Sequence, residues 1–182
     1  RIFLKMEKNY KELEDVLRTY MYKINAYVGA NKYYFKGEIP TKKLDNAINT
    51  YASNVDSNQV MALLDTTLTQ NGKEGILFTT TGLYSKDTLF EKITIDYKDI
   101  IDIFVGSCNE KGKYVSKDYN RKMKITKNNG DICYIDHKSL NKLPLKEMLN
   151  EIVMLSKNGL TGDVDKYIIM EDHDENTKYN YI

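Results

Sequence analysis

The sequence predicts an α+β protein: an antiparallel sheet of about seven short strands closed by a C-terminal helix, preceded by a helical N-terminal segment. Three observations carry this. Apolar residues recur at helical spacing up to about residue 58 and then switch to alternation. Asn129–Gly130 sits between two alternating runs, the strongest short hairpin signal in the chain. The stretch from Asn141 to Lys157 returns to helical spacing with a wide apolar face.

The first helix is expected from about Glu7 to Val28. Leu13, Val16, Leu17, Tyr20, Met21, Ile24 and Val28 share one side, and Gly29 offers a stop. The aromatic run Tyr33–Tyr34–Phe35 follows. A shorter helix opens at Pro40–Thr41 and puts Leu44, Ala47, Ile48 and Tyr51 on one face. After the polar break Asn54–Asn58, strands are expected at Val60–Leu68, Gly75–Thr80, Gly82–Lys86 and Ile93–Tyr97. Ile101, Ile103 and Val105 form the next inward row, and Arg121–Thr126 and Asp131–Ile135 flank the Asn-Gly turn, both of whose central residues should take positive φ. In the last helix Leu145, Met148, Leu149, Ile152, Val153 and Leu155 point inward, with Ser139 or Asn141 as cap, Pro144 in the first turn and Asn158–Gly159 at the end. Leu160–Ile169 could add a short strand, while Glu171–Asn180 is polar. The organisation that follows is an N-terminal helical segment over 1–58, a sheet domain over 59–158 and a tail over 159–182.

The totals narrow the function. At 182 residues with 41% hydrophobic and 29% charged residues, the chain suits a folded domain and excludes global disorder. A net charge of +1 gives no overall field to recruit nucleic acid or anionic lipid, so electrostatic partners must be sought in local clusters. No apolar run approaches the roughly 20 residues needed to cross a bilayer, and the N-terminus does not read as a signal peptide. The chain opens on Arg1 rather than methionine, which leaves room for an upstream segment. Cys108 and Cys133 lack the close, repeated spacing of a disulfide framework or zinc site, so reduced cytoplasmic thiols are expected.

The segment Val60–Asp87 resembles a bacterial pleckstrin-homology-like (PH-like) domain family. The shared features are a strand ending Leu-x-Asp-Thr-Thr, a Gly-Lys-x-Gly turn and a strand pair reading Leu-Phe-Thr-x-x-Gly-Leu-Tyr. Ile93–Ile100 looks like the strand that follows, and the resemblance spans roughly Val60 to Lys157. It implies a PH-like sheet or barrel plugged by a helix, serving as a scaffold for lipid headgroups, peptides or other domains. The sequence departs from the phosphoinositide-binding version, whose first loop carries several basic residues. Here Thr69–Glu74 offers only Lys73, beside Glu74.

Candidate sites divide by chemistry. Gly72–Lys73–Glu74–Gly75 lacks the Walker pattern and feeds a strand, so it is expected to be a structural turn. Asp65, Thr66 and Thr67 can hold a cation or a substrate hydroxyl, but their commoner job is to bond backbone amides at a strand end. Asp136–His137 has the form of an orienter and base, with no nucleophile in a recognisable setting. An enzyme would need Asp65, Asp136 and His137 to converge in a pocket. Glu171–Glu175 around His173 lacks the alternate ligands and central glycine of a calcium loop. Cys133 reads as a small buried hydrophobe. The basic region Lys111–Lys127 holds Lys111, Lys113, Lys117, Arg121, Lys122, Lys124 and Lys127, with Tyr114 and Tyr119 between them. If Met123 and Ile125 face inward, Lys122 and Lys124 project together, and a polyanion, membrane surface or acidic peptide can dock there; the alternative is a solvated lysine-rich loop. Tyr33–Phe35 and the first helix either cover the sheet or offer a protein or dimer contact.

The resulting expectation is a non-catalytic, cytoplasmic binding or adaptor module with no cofactor, no metal and no specific nucleic acid. Its partner is another protein first and an anionic membrane surface second, which would make it membrane-peripheral. Lys122 and Lys124, then Lys73, are the expected binding residues. The rival is a small inhibitor or immunity-type protein that blocks one enzyme partner.

Overall fold

The computed structural model describes residues 2–25 and 32–158, with side chains described from residue 10 onward. The chain runs α1 (Ile2–Ile24), β1 (Lys32–Phe35), α2 (Thr41–Tyr51), β2 (Val60–Asp65), β3 (Gly75–Thr79), β4 (Gly82–Lys86) and β5 (Ile93–Asp96). It continues through β6 (Ile100–Val105), β7 (Met123–Lys127) and β8 (Ile132–Ile135) to α3 (Lys142–Lys157). The α+β class stands, but the sheet is not one seven-stranded unit and does not close as a barrel. The eight described strands are all antiparallel, in a five-stranded sheet β1-β2-β3-β4-β5 and a three-stranded sheet β6-β7-β8. The chain changes sheets at a 3-10 turn over Tyr97–Asp99. Tyr97 is fully buried there and its hydroxyl donates to the Thr79 carbonyl at 2.9 Å, which fixes the corner.

The added strand is the aromatic run. Lys32–Phe35 pairs with Asp65–Ala62, a role that four residues without a clear apolar alternation do not announce. Phe35 turns inward and the Arg18 guanidinium lies 4.2 Å above its ring, so this segment belongs to the fold rather than to an exposed aromatic patch.

Two apolar layers hold the five-stranded sheet. On one face Leu13, Leu17, Met21 and Ile24 of α1 and Leu145, Met148, Leu149 and Ile152 of α3 join Ala62, Leu64, Ile76 and Phe78. On the other face α2 lays Ala47 and Tyr51, with Leu44 and Ile48 partly buried, over Val60, Leu63 and Leu77. β2 is therefore buried at every position, as a strand covered on both sides must be. Ile103, Met123, Ile125 and Ile135 bring the inner face of the three-stranded sheet onto the α1/α3 layer. Each fully buried aliphatic side chain contributes about 1.5–3 kcal/mol, so this layer is the main source of stability.

Local chemistry explains several boundaries. β2 stops at Asp65 rather than reaching Leu68, because the carboxylate turns back to accept from Thr67 N, Thr67 Oγ1 and Gly72 N. In β6 a register shift between Ile100 and Asp102 puts Ile100 inside and leaves Ile101 at 62% exposure, which corrects the expected Ile101–Ile103–Val105 row. At the β7–β8 hairpin only Gly130 takes positive φ (88°), and Gly130 N donates to the Lys127 carbonyl. That is a three-residue loop with a left-handed glycine, not a two-residue turn with both residues left-handed. Gly75 is required for packing as well as conformation: at φ 140° an added Cβ would lie 1.9 Å from the Leu64 carbonyl oxygen.

Helix α3 is capped from outside its own sequence. Asn141 holds the cap position without a side-chain bond to the helix; its side-chain amide donates to the Lys23 carbonyl and its backbone amide to the Ile24 carbonyl, joining α3 to the end of α1. The carboxylate of Asp118, on the β6–β7 connection, accepts from Leu143 N at 3.0 Å. The expected helix end around Val28–Gly29 and the whole of 159–182, including the strand expected within Leu160–Ile169 and the acidic stretch around His173, lie outside the described residues. No described helix is long and apolar enough to cross a membrane.

Candidate functional site

Among the described residues no helix lies over the outer face of the β6-β7-β8 sheet, which collects exposed apolar side chains. Strand alternation builds it: Met123, Ile125 and Ile135 point into the core, so their neighbours point out. Phe104, Lys124 and Tyr134 lie opposite one another in a single row across the three strands, and Asp102, Thr126 and Ile132 form the next row. Phe104 is 55%, Ile132 52% and Tyr134 43% exposed, values that mark surface rather than core. The Lys122 ammonium rests 4.0 Å from the centre of the Tyr134 ring, and that of Lys124 lies 5.8 Å from the Phe104 ring. The two lysines expected to project together do so, each with its ammonium beside an aromatic ring.

A cavity of about 340 Å³ opens at the end of this face, lined by Phe104, Lys122, Lys124, Tyr134 and the turn residues that follow β6. The turn is held by its own bonds. Asn109 Oδ1 accepts from the backbone amides of Lys111 and Lys113, and Cys108 bridges to Tyr114. Glu110, also in the lining, is paired with Lys138 at 3.3 Å. Its carboxyl is held below the ordinary range by a backbone hydrogen bond and by Lys138. Among the described residues no carboxylate lies within ion-pair distance of Lys122 or Lys124.

The rest of the basic region disperses. Lys111, Lys113 and Lys117 are exposed on the β6–β7 connection, Arg121 sits 3.9 Å from Asp118, and Lys127 reaches the Thr94 carbonyl. Lys73 is exposed on the β2–β3 loop of the other sheet and does not line the cavity. Sequence alternation located Lys122 and Lys124. It did not single out Phe104 and Tyr134, whose exposure follows from there being no helix over this face among the described residues.

The other candidates are spent on structure. Asp65 is fully buried and its carboxylate also accepts from Lys43 Nζ at 3.0 Å, which leaves it tied to the loop and to α2. His137 is buried with Nε2 2.8 Å from Ser85 Oγ and Nδ1 3.4 Å from Thr66 Oγ1, and burial pulls its pKa down to about 4. Asp65, Asp136 and His137 do not converge. The space beside Ser85, Asp136 and His137 is about 10 Å³, room for a single water and no substrate. Lys142 is buried too. Its ammonium donates to the His137 and Tyr119 carbonyls, and desolvation lowers its pKa to about 8. Burial raises the Asp136 carboxyl against the opposing charges of Lys122 and Lys142. Cys108 and Cys133 are free, and burial pushes the Cys133 thiol up, away from the thiolate. Among the described residues no three metal-ligating side chains cluster.

Comparison of the chain with protein-family models, with curated proteins and with solved structures gives no match.

Proposed function

We propose that this chain is a non-catalytic recognition module that docks another protein on the outer face of its three-stranded sheet. The observation that carries the reading is the row Phe104–Lys124–Tyr134, with Lys122 beside it: exposed aromatic rings and cations on a rigid sheet, next to a cavity. Aromatic anchors at the centre of a patch with charges around them are the composition of protein interfaces. The basic region is broken rather than continuous, which favours a partner protein over a membrane, because a lipid surface rewards summed positive charge more than shape. The order β2-β3-β4-β5 against β6-β7-β8, with α3 packed between the sheets, supports reading 59–158 as a PH-like domain to which α1 and β1 add a helix and an edge strand.

The test is affinity capture from lysate of the source cell with wild type and with Lys122→Glu/Lys124→Glu, beside flotation with phosphatidylserine vesicles. A specific protein captured by wild type and lost on charge reversal is the expected result. Vesicle binding without a captured protein would overturn the reading in favour of a membrane surface.

A further inference from the structure

We propose that this face reads an extended acidic segment of its partner, with carboxylates two residues apart meeting Lys124 and Lys122 and a bulky apolar side chain entering the adjoining cavity. The proposal deepens the docking reading above and rests on it.

The geometry of the sheet sets the spacing. Phe104 and Tyr134 stand opposite Lys124 on the strands either side of β7. Neighbouring strands are about 4.8 Å apart, so the two rings form walls some two strand spacings apart, roughly 10 Å, with the lysine between them. Lys122 immediately precedes β7 and Lys124 is the second residue of that strand; both line the cavity, and at the repeat of an extended chain they stand about 6.8 Å apart. An extended peptide has the same repeat, so its residues i and i+2 present side chains to one surface at that separation. Acids at i and i+1 would point to opposite sides, and only one could reach a lysine.

Charge and volume agree with this occupant. Within the lining, Glu110 is engaged by Lys138, and among the described residues neither Lys122 nor Lys124 has a carboxylate within ion-pair distance, although Asp136 lies near enough to Lys122 to feel its charge. A cavity of about 340 Å³ lies at the small end of ligand-sized pockets and takes one large side chain comfortably. Gly106 forms part of its wall, and a Cβ there would meet the edge of the Phe104 ring at 3.4 Å. A branched side chain at this position narrows the cavity without changing the charge.

The experiment titrates the full chain into three end-blocked, fluorescein-labelled peptides: Phe-Ser-Glu-Ser-Glu-Ser-Phe, the isomer Phe-Ser-Glu-Glu-Ser-Ser-Phe, and Ser-Ser-Glu-Ser-Glu-Ser-Ser. Wild type should bind the alternating peptide about fivefold more tightly than its adjacent-acid isomer, the scale of one further exposed ion pair. Lys122→Gln/Lys124→Gln should abolish that preference. Removing the phenylalanines should weaken binding about tenfold or more in wild type, on the scale of burying an apolar side chain, and less in Gly106→Val. Equal affinity for the two isomers, or no binding of any peptide, overturns the inference. The docking reading survives that result if partner capture still depends on Lys122 and Lys124, and falls with it if capture is indifferent to both.

Discussion

The two sheets of this molecule are built from similar strands but treated differently by the helices. The five-stranded sheet is covered on one face by α1 and α3 and on the other by α2, and its second strand shows no exposed residue. Among the described residues the three-stranded sheet has only its inner face covered, and its outer face exposes Phe104, Ile132 and Tyr134. A sheet face that no described helix covers, carrying exposed aromatic residues among its polar ones, is where an external surface is expected to dock. The covered sheet should accordingly report on stability and the bare one on binding.

The largest effect is expected in the layer that serves both sheets. Leu149→Asp places a carboxylate among Leu145, Met148 and Ile152, and should cost more than about 4 kcal/mol, enough to abolish cooperative unfolding monitored by circular dichroism. A soluble variant with a normal denaturation curve would mean that α3 does not bury this face.

Next comes the seam between the sheets, where His137, after β8, contacts Ser85 of β4 and Thr66 after β2. Its folded pKa of about 4 lies below the ordinary value of 6.5. Between these values the unfolded chain binds the extra proton, so stability is complete above pH 6.5 and falls as pH drops towards 4. The loss is about 3 kcal/mol over that window, readable as a falling urea midpoint. His137→Gln should flatten that pH dependence, and an unchanged slope would assign it to other groups.

A smaller loss is expected on the α2 side. Lys43→Met removes the cation from buried Asp65 but leaves Thr67 and Gly72 as donors, so the cost should be about 2 kcal/mol by chemical denaturation. The smallest belongs to the bare face. Phe104→Ser should shift the denaturation midpoint by less than about 1 kcal/mol, because the ring is mostly in water, while weakening partner binding. A core-sized loss of stability there would erase the contrast between the sheets.

How much of this was legible in the sequence follows from the range of the signals. The α3 face, the positions of the hairpins and the inward Met123–Ile125 alternation are local patterns that the structure reproduces, although the Asn129–Gly130 turn is a three-residue loop rather than a two-residue one. Strand β1 was missed because Lys32–Phe35 becomes a strand only by pairing with β2, a contact distant in the chain. The inward place of Ile101 went to Ile100 because of a bulge that depends on the partner strand. Alternation put Lys122 and Lys124 on one face, whereas Phe104 and Tyr134 stay exposed because no described helix covers them, which only the packing of three helices on two sheets reveals. Lys73 was singled out by its turn, and it ends on the opposite sheet from the pair it was grouped with.

The most direct test of the central claim compares the two faces in one capture experiment. Phe104→Ser/Lys124→Glu alters the bare sheet, and Lys42→Glu alters the exposed side of α2 over the covered one. Both variants should keep a melting temperature within about 3 °C of wild type, as surface substitutions do. The account predicts that the protein partner captured by wild type from source-cell lysate is retained by Lys42→Glu and lost by Phe104→Ser/Lys124→Glu. Retention by the bare-sheet variant, or loss by the α2 variant alone, would contradict it.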